Sequence, residues 1–292
     1  MPEMQLITTV AAMQNLADFW RAQQQRICLV PTMGYLHEGH LSLVRHGAAR
    51  AQRMVVSIFV NPLQFGPHED FAVYPRDLER DLALLRPLAV DAVFHPSAEE
   101  FYRPGACTTV DVGGLTEGLC GAFRPGHFRG VTTVVTKLFT AVRPHQAVFG
   151  QKDYQQCAVI RQMTRDLNLG IDIAVAPTVR EADGLAMSSR NVYLSPEERR
   201  RAPAIYQSLL AAESALQRGE TAVQVVLDAV RGRLESEVSP RIDYVAGVDP
   251  DTLQPVARFA GQLVVAVALR MDRARLIDNL VVRPRGSAAE PA

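Results

Sequence analysis

The chain has little of several features that mark other classes of protein. The 292 residues include 31 that are Lys or Arg and 31 that are Asp or Glu, so the formal net charge is zero. Proteins that bind long nucleic acids usually carry a basic excess, so this balance favours small-molecule partners and no nucleic acid. No stretch reaches the ~18 consecutive apolar residues of a membrane span, and the N-terminus lacks the pattern of a signal peptide. We therefore expect no membrane association and a cytoplasmic location.

Cysteine is also scarce. The four cysteines are Cys28, Cys107, Cys120 and Cys157, and no two of them have C-x-x-C spacing. Zinc sites usually contain such tight pairs, and disulfide frameworks of small secreted domains are denser in cysteine. We expect four buried free thiols.

A regular alternation of short apolar runs and helical patterns occupies the first part of the chain. The predicted strands are 27–30, 54–60, 92–94, 147–149 and 171–176, and the predicted helices are 9–25, 40–52, 77–88, 130–142 and 153–168. Strands that alternate with helices are typical of a doubly wound parallel sheet, which binds ligands beyond the carboxyl ends of its strands.

The pattern changes near residue 180. Predicted helices at 197–218 and 221–236 are followed by predicted strands at 242–248, 263–269 and 276–282. A chain of 292 residues is expected to form about two domains. We therefore predict an α/β, Rossmann-like domain over 1–178 that binds the ligands and a smaller α+β lid domain over 179–292.

The segment PTMGYLHEGH, residues 31–40, follows a predicted strand and opens a helix. Gly34 and Gly39 let backbone approach a ligand, and a helix N-terminus presents N–H groups to an anion. His37 and His40 are three residues apart, so both side chains can donate hydrogen bonds to one phosphate. Their spacing is not that of the zinc motif H-E-x-x-H. The segment resembles the H-x-G-H signature of the nucleotidylyltransferase superfamily.

Three other segments carry residues suited to anions or polar ligands. Met187–Arg190 places two hydroxyls beside an arginine, a combination that binds phosphate. Lys152 follows the predicted strand 147–149, and Asn61 and Gln64 follow the strand 54–60 with neutral amides that bind hydroxyl and carboxylate oxygens. Ordinary turn and helix-cap chemistry, including a cap formed by Asp153, is the alternative interpretation of each segment taken alone.

Six segments together carry a more specific resemblance. They are PTMGYLHEGH, VSIFVNPLQF, YPR (74–76), RPGHFRGVTTVVTKLF (124–139), VFGQKDYQQ and DGLAMSSRNVYL, in this order within residues 30–194, and RLIDN (275–279) extends them. The set resembles the pantothenate synthetase family, also called pantoate–β-alanine ligases. Gln151 stands where many members have glutamate. The resemblance implies ATP-dependent condensation of (R)-pantoate with β-alanine through a pantoyl-adenylate, with release of AMP and diphosphate, in a homodimer that uses Mg²⁺.

The resemblance also implies roles for individual residues. Those expected to act in catalysis are His37, His40, Lys152 and Arg190. Those expected to bind ATP are Met33, Gly34, Tyr35, Leu36, His37, Glu38, Gly39, His40, Gly150, Gln151, Lys152, Asp153, Val179, Met187, Ser188, Ser189 and Arg190. Gln64 and Gln156 are expected to bind pantoate, Gln64 also β-alanine, and Asp81 is expected near the Mg²⁺ ion.

Three other functions remain open at this point. A nucleotidylyltransferase would keep the nucleotide on a phosphate acceptor, but Gln64 and Gln156 suit such an acceptor less well than arginine or lysine would. An aminoacyl-tRNA synthetase has little room for tRNA in 292 neutral residues. A nucleotide-binding regulator without catalysis would be expected to lack one of His40, Lys152 or Arg190. The release of AMP, rather than a stable nucleotidyl product, would distinguish the ligase from the nucleotidylyltransferase.

Overall fold

The computed structural model describes residues 4–67, 69–239 and 241–284, which form two compact units. The first unit takes the chain up to Gly113 together with Arg124–Gln151 and Gln156–Pro177. The second takes Gly114–Phe123, Lys152–Gln155 and the chain from Thr178 onward. The predicted domains, 1–178 and 179–292, stay a prediction; they do not include the two short segments that the second unit draws from earlier in the chain.

The described residues of the two units form nine strands and ten α-helices, and the two kinds of element alternate through most of the first unit. The strands are β1 (Gln5–Ile7), β2 (Ile27–Thr32), β3 (Arg53–Ile58), β4 (Ala92–Phe94), β5 (Gln146–Gly150), β6 (Asp172–Ala176), β7 (Arg241–Val248), β8 (Leu263–Arg270) and β9 (Arg275–Val282). The helices are α1 (Val10–Ala22), α2 (Glu38–Ala48), α3 (Leu78–Leu85), α4 (Ala98–Phe101), α5 (Cys120–Phe123), α6 (His127–Val142), α7 (Tyr154–Asp166), α8 (Pro196–Arg201), α9 (Ala204–Gln217) and α10 (Val223–Glu237).

The first unit contains a six-stranded parallel sheet with the order β1-β4-β3-β2-β5-β6. Alternate residues of the central strands, such as Cys28 and Val30, pack against α2 and α3 through Leu43 and Leu85. Helices α1 and α6 pack against the other face of β2. Because both faces are covered, the strands consist of continuous apolar runs.

The strand order reverses next to β2. The chain proceeds from β2 to β3 and β4 on one side and later returns to β5 on the other side. Doubly wound sheets bind ligands at such a switch point, beyond the carboxyl ends of the two strands. The loop that follows β2 contains the predicted ATP-binding residues 33–37.

The second unit contains a three-stranded antiparallel sheet with the order β7-β8-β9. Helices α9 and α10 bury apolar side chains such as Leu209 and Leu234 against it, together with Val265 and Leu276 of the sheet. The predicted fold class, a doubly wound parallel sheet with a smaller α+β part, is confirmed.

Four details differ from the sequence prediction. The short strand β1 was not predicted, although it pairs with β4. Pro31 lies inside β2 and not after it, because pairing with β5 involves only Cys28 and Leu29 and ends before the proline. The helix predicted over 197–218 is two helices, interrupted at 202–203 by a proline. All four thiols are free, as predicted, but Cys107 is exposed.

In the described part of the chain, no helix combines the length and the apolar character needed to cross a membrane.

Candidate active site

The loop between β2 and α2 makes a sharp turn. Gly34 and Tyr35 both have left-handed backbone angles, with φ of 82° and 50°. A side chain on Gly34 would also lie 3.0 Å from Asp81 Oδ2, so glycine is required there for two reasons. Thr32 Oγ1 accepts a hydrogen bond from the Gly34 N–H at 3.1 Å and donates one to the Ser57 carbonyl at 2.8 Å. The turn is therefore held firmly at its start.

Asp81 on α3 holds the middle of this loop. Its side chain is 1% exposed, and its two carboxylate oxygens accept hydrogen bonds from the backbone N–H groups of Tyr35 and Leu36, both at 2.7 Å. Burial raises the pKa of Asp81, while these two hydrogen bonds and the charge of Arg80 oppose the rise. The predicted location of Asp81 near Mg²⁺ stays a prediction, and the structure gives the carboxylate a role in loop conformation.

The two motif histidines lie side by side at the start of α2. Nδ1 of His37 accepts the Gly39 N–H at 3.2 Å, and Nδ1 of His40 accepts the His37 N–H at 3.3 Å. A backbone N–H can only donate, so both Nδ1 atoms are acceptors and each neutral ring carries its proton on Nε2. The ring centroids are 4.1 Å apart. The arrangement presents two N–H donors at a helix N-terminus, where the helix dipole also attracts an anion.

Asn61, at the carboxyl end of β3, has a fixed amide orientation. Its Oδ1 accepts the Leu63 N–H at 3.2 Å and the Tyr102 hydroxyl at 2.9 Å, and its Nδ2 donates to the Gly130 carbonyl at 3.0 Å. Because the Leu63 N–H only donates and the Gly130 carbonyl only accepts, the side-chain oxygen and nitrogen of Asn61 can be told apart.

The orientation of Gln64 follows from that of Asn61. Asn61 Nδ2 also donates to Gln64 Oε1 at 3.2 Å, which leaves Nε2 as the donor end of the Gln64 amide. Gln64 Nε2 lies 3.0 Å from Met33 Sδ in the predicted ATP-binding loop. The first unit thus brings a predicted pantoate-binding residue to a predicted ATP-binding residue, with an N–H donor that suits a carboxylate or hydroxyl oxygen.

The turn that carries Gln64 is held against the start of α6. Arg124 donates two hydrogen bonds of 2.6 Å to Glu69, and Arg124 and His127 both contact the Gln64 carbonyl oxygen, at 3.3 and 2.8 Å. Burial alone would raise the pKa of Glu69, but the hydrogen bonds and charge of Arg124 outweigh it and lower the pKa to about 2. A Cβ on Gly130 of α6 would lie 2.2 Å from the Leu63 carbonyl oxygen, so α6 can approach this turn only with glycine there.

The second unit holds the other predicted phosphate-binding residues. Met187 donates its N–H to the Val179 carbonyl at 3.0 Å, which closes a loop that leads to Ser188, Ser189 and Arg190. Ser188 caps the short 3-10 helix Ser189–Tyr193 by accepting the Arg190 N–H at 3.2 Å.

A small pocket within the second unit is lined by residues of both predicted phosphate-binding segments, the one with Lys152 and the one with Ser188. Lys152 and Ser188 both line it, together with Asn191 and Asp278. The pocket brings the segment that carries Lys152 next to the segment that carries Ser188.

The remaining predicted residues lie at the carboxyl end of β5 and in the segment that follows it. Gly150 ends β5, and Gln151, Lys152 and Asp153 form a 3-10 turn before α7. Gln156 is half-buried on α7. Its neighbour Gln155 is buried and has a structural role in the second unit, where it bonds the Leu115 and Gly118 carbonyls at 2.9 and 2.8 Å.

Several supporting residues were not assigned a role from the sequence. They are Glu69, Tyr102, Arg124, His127, Gly130, Arg180, Asp278 and Asn279. Some stand in segments that the sequence did single out, such as 124–139 and 275–279. A local pattern does not show which distant residue each of them contacts.

The parallel sheet with a reversed strand order and the histidine pair at the helix N-terminus define a nucleotide-binding α/β protein of the nucleotidylyltransferase type. The family model described as pantoate-beta-alanine ligase matches residues 5–281. The chain belongs to this family of ligases.

Curated relatives and solved structures agree with this membership. Pantothenate synthetase of Moorella thermoacetica is 54% identical over 279 residues, which cover 96% of this chain and 99% of the relative. The enzyme of the same name from Thermotoga neapolitana is 53% identical, with 96% and 100% covered. A crystal structure of pantothenate synthetase from Thermus thermophilus has a TM-score of 0.90 at 48% identity and covers 96% of this chain and 100% of its own. The pantoate-beta-alanine ligase of Francisella tularensis, complexed with beta-gamma ATP and beta-alanine, has a TM-score of 0.78 at 31% identity, with 96% and 98% covered.

Proposed function

We propose that this chain condenses (R)-pantoate with β-alanine and uses ATP, which leaves as AMP and diphosphate. The observation that carries the proposal is the placement of the His37 and His40 rings side by side at the N-terminus of α2, where Nδ1 of each ring accepts a backbone N–H. The Gln64 amide, placed against Met33 of the same loop, supplies a neutral donor for a hydroxy acid. The Francisella tularensis relative, which was crystallised with beta-gamma ATP and beta-alanine, supports the choice of ligands.

In the first step of this reaction, the pantoate carboxylate attacks the α-phosphorus of ATP, and diphosphate leaves. No protein nucleophile is needed, so catalysis depends on positioning and on stabilisation of charge. His37 and His40 would donate hydrogen bonds to phosphate oxygens as negative charge develops on them. Lys152 and Arg190 would neutralise further phosphate charge.

In the second step, the neutral amine of β-alanine attacks the acyl carbon of pantoyl-adenylate, and AMP leaves. Gln64 and Gln156 would hold pantoate through its hydroxyl and carboxyl oxygens. Neutral amides suit this task because they donate hydrogen bonds without the strong attraction that a cation would have for the competing phosphates.

We also propose that Mg²⁺ binds together with the nucleotide. In residues 4–67, 69–239 and 241–284, no three His, Cys, Asp or Glu side chains are grouped so that they could hold a metal ion. Asp81 already accepts two backbone hydrogen bonds with its carboxylate oxygens. Mg²⁺ commonly binds through substrate phosphates and water with one or two carboxylates, and Asp81 is the carboxylate that we propose near it. The ion would offset phosphate charge.

A cytoplasmic location and a homodimer belong to the same proposal. The four free thiols suit a reducing compartment. The dimer rests on the resemblance to the family.

The function can be tested by exchange of labelled diphosphate into ATP. Pantoate alone should drive the exchange, because adenylation does not need β-alanine. With all three substrates, mass analysis should show pantothenate and AMP in equal amounts. Exchange that strictly requires β-alanine would refute a separate first step, and a stable nucleotidyl product would favour a nucleotidylyltransferase.

The residue roles can be tested by comparing the use of each substrate. Lys152→Ala and Arg190→Ala should raise the KM for ATP or lower kcat, whereas Gln64→Ala should mainly raise the KM for pantoate. Arg161→Ala, which removes an exposed cation on α7, is a charge-matched control and should leave both unchanged. If Gln64→Ala altered only the dependence on ATP, the assignment of the pantoate site would be wrong.

A further inference from the structure

Two adjacent residues of β9, Asp278 and Asn279, contact the two segments of the second unit that carry the proposed phosphate-binding residues. Both side chains are buried, at 3% exposure each. Neighbouring residues of a strand point to opposite faces of the sheet. One short piece of strand can therefore reach two separate segments at once.

Asn279 holds the segment that contains Lys152. Its Nδ2 donates a hydrogen bond of 2.9 Å to the Lys152 backbone carbonyl. This bond positions the backbone from which the lysine side chain extends and leaves the ammonium group out of the contact. Asn279 therefore influences where the Lys152 charge lies through the Lys152 backbone.

Asp278 holds the segment that leads to Ser188. Its carboxylate accepts hydrogen bonds of 2.6 and 2.9 Å from the two terminal nitrogens of Arg180, and one of 2.8 Å from the Asn279 N–H. The Arg180 guanidinium lies 3.5 Å from the ring centroid of Tyr206 and also donates to the Gly184 carbonyl at 3.1 Å. Arg180 is thereby fixed at the base of the loop that continues to Ser188.

We propose that Asp278 and Asn279 are positioning residues that set the distance between Lys152 and the Ser188–Arg190 segment. The inference rests on the proposed function, in which both segments bind the phosphates of ATP. Lys152, Ser188 and Asp278 line the same pocket, which places the anchor next to the groups it positions. A displacement of about 1 Å in a catalytic group can lower the rate about a hundredfold, so such an anchor matters even without touching the substrate.

The first test removes the hydrogen bond with Asn279→Ala. We expect kcat/KM for ATP to fall about tenfold, since one lost hydrogen bond of this kind corresponds to about one factor of ten. The KM for pantoate should stay within about twofold, because Gln64 belongs to the first unit. Val281→Ala is the matched control: it lies on the same strand and face two residues later, and it should leave kcat/KM for ATP unchanged.

A second variant covers the possibility that Asn279→Ala does not fold. Asn279→Asp keeps the shape of the side chain but replaces the N–H donor by an oxygen that faces the Lys152 carbonyl oxygen. We expect its kcat/KM for ATP to fall at least as far as that of Asn279→Ala. If either folded variant kept the parent's kcat/KM for ATP, the inference would be overturned.

A double-mutant cycle separates positioning from a purely structural role. In the Lys152→Ala background, Asn279→Ala should change kcat/KM for ATP by less than about twofold, because there is no charge left to position. A full tenfold effect in both backgrounds would overturn the inference while the proposed role of Lys152 stood. Normal use of ATP by Lys152→Ala would overturn the role of Lys152 in the proposed function, and the inference with it.

Discussion

The substitution Asp81→Asn tests how the loop between β2 and α2 is held. The Asp81 carboxylate accepts backbone N–H groups from Tyr35 and Leu36, both at 2.7 Å, with its side chain 1% exposed. Asparagine keeps one acceptor oxygen and turns an NH₂ group toward the other N–H. One charge-assisted hydrogen bond contributes about 1.5–3 kcal/mol, so the free energy of unfolding should fall by about 2 kcal/mol. Asp81→Ala, which removes both acceptors, should lower it by about 3–5 kcal/mol.

The same substitution should affect catalysis through the ATP-binding loop. Because Tyr35 and Leu36 precede the histidine pair, we expect Asp81→Asn to raise the KM for ATP. Glu79→Gln removes an exposed carboxylate from the same helix and serves as the control, with both stability and KM unchanged. Urea unfolding measures the stability, and initial rates at several ATP concentrations measure the KM for ATP.

A titration with Mg²⁺ distinguishes the two roles considered for Asp81. If the carboxylate acts on the metal ion, a large excess of Mg²⁺ should restore much of the activity of Asp81→Asn. If it holds the loop, the loss should be the same at all saturating Mg²⁺ concentrations. Unchanged stability combined with rescue by Mg²⁺ would refute the argument from the two hydrogen bonds.

Three further predictions concern the first unit. Gly130→Ala would place a Cβ 2.2 Å from a backbone oxygen of the turn that carries Gln64. It should lower the free energy of unfolding by about 1–3 kcal/mol and raise the KM for pantoate. Gly232→Ala, in a helix with open space around it, is the control and should not destabilise the protein. The pKa of Glu69 is about 2, below its ordinary value of 4.5, so its stabilising contribution is complete above about pH 4.5 and is lost as the pH falls toward 2. Between pH 6 and pH 3, the free energy of unfolding measured in urea should therefore fall more for the parent than for Glu69→Gln, by up to about 2 kcal/mol and by less where water screens the pair; parallel curves would contradict this. His40→Ala should slow adenylation about 10²–10³-fold in single-turnover measurements, since a lost transition-state donor corresponds to about 2.7–4 kcal/mol, and near-normal rates would move the role to the neighbouring histidine.

Much of this architecture could be predicted from the sequence because it depends on local pattern. The strand β4 has the predicted limits, and the other predicted strands and most helices differ by a few residues at their ends. An apolar run or a helical period is contained within a few consecutive residues, so it is visible without the fold. The position of the histidine motif at the start of a helix after a strand is local in the same sense.

Where the local signal was short or had two interpretations, the tertiary structure decided. The strand β1 has three residues, two of them exposed, and forms because β4 offers a free edge. Pro31 would ordinarily end a strand, but the pairing of β2 with β5 has ended before it. Whether Cys107 is buried depended on which part of the fold lies over it, and it proved to be exposed.

The predicted site residues could be named from the sequence, but their supports could not. Histidine, lysine, arginine and amides reveal their chemistry by residue type, so the motifs point to phosphate and hydroxy-acid ligands. Which end of the Gln64 amide accepts and which donates is decided by Asn61, and the Lys152 backbone is held by Asn279, 127 residues away. Such contacts form only when the fold brings distant segments within hydrogen-bonding distance. The sequence by itself determined the elements, the motif and the kind of ligand, and the tertiary structure decided the orientation of the amides and the anchors of the charged residues, because those depend on partners far away along the chain.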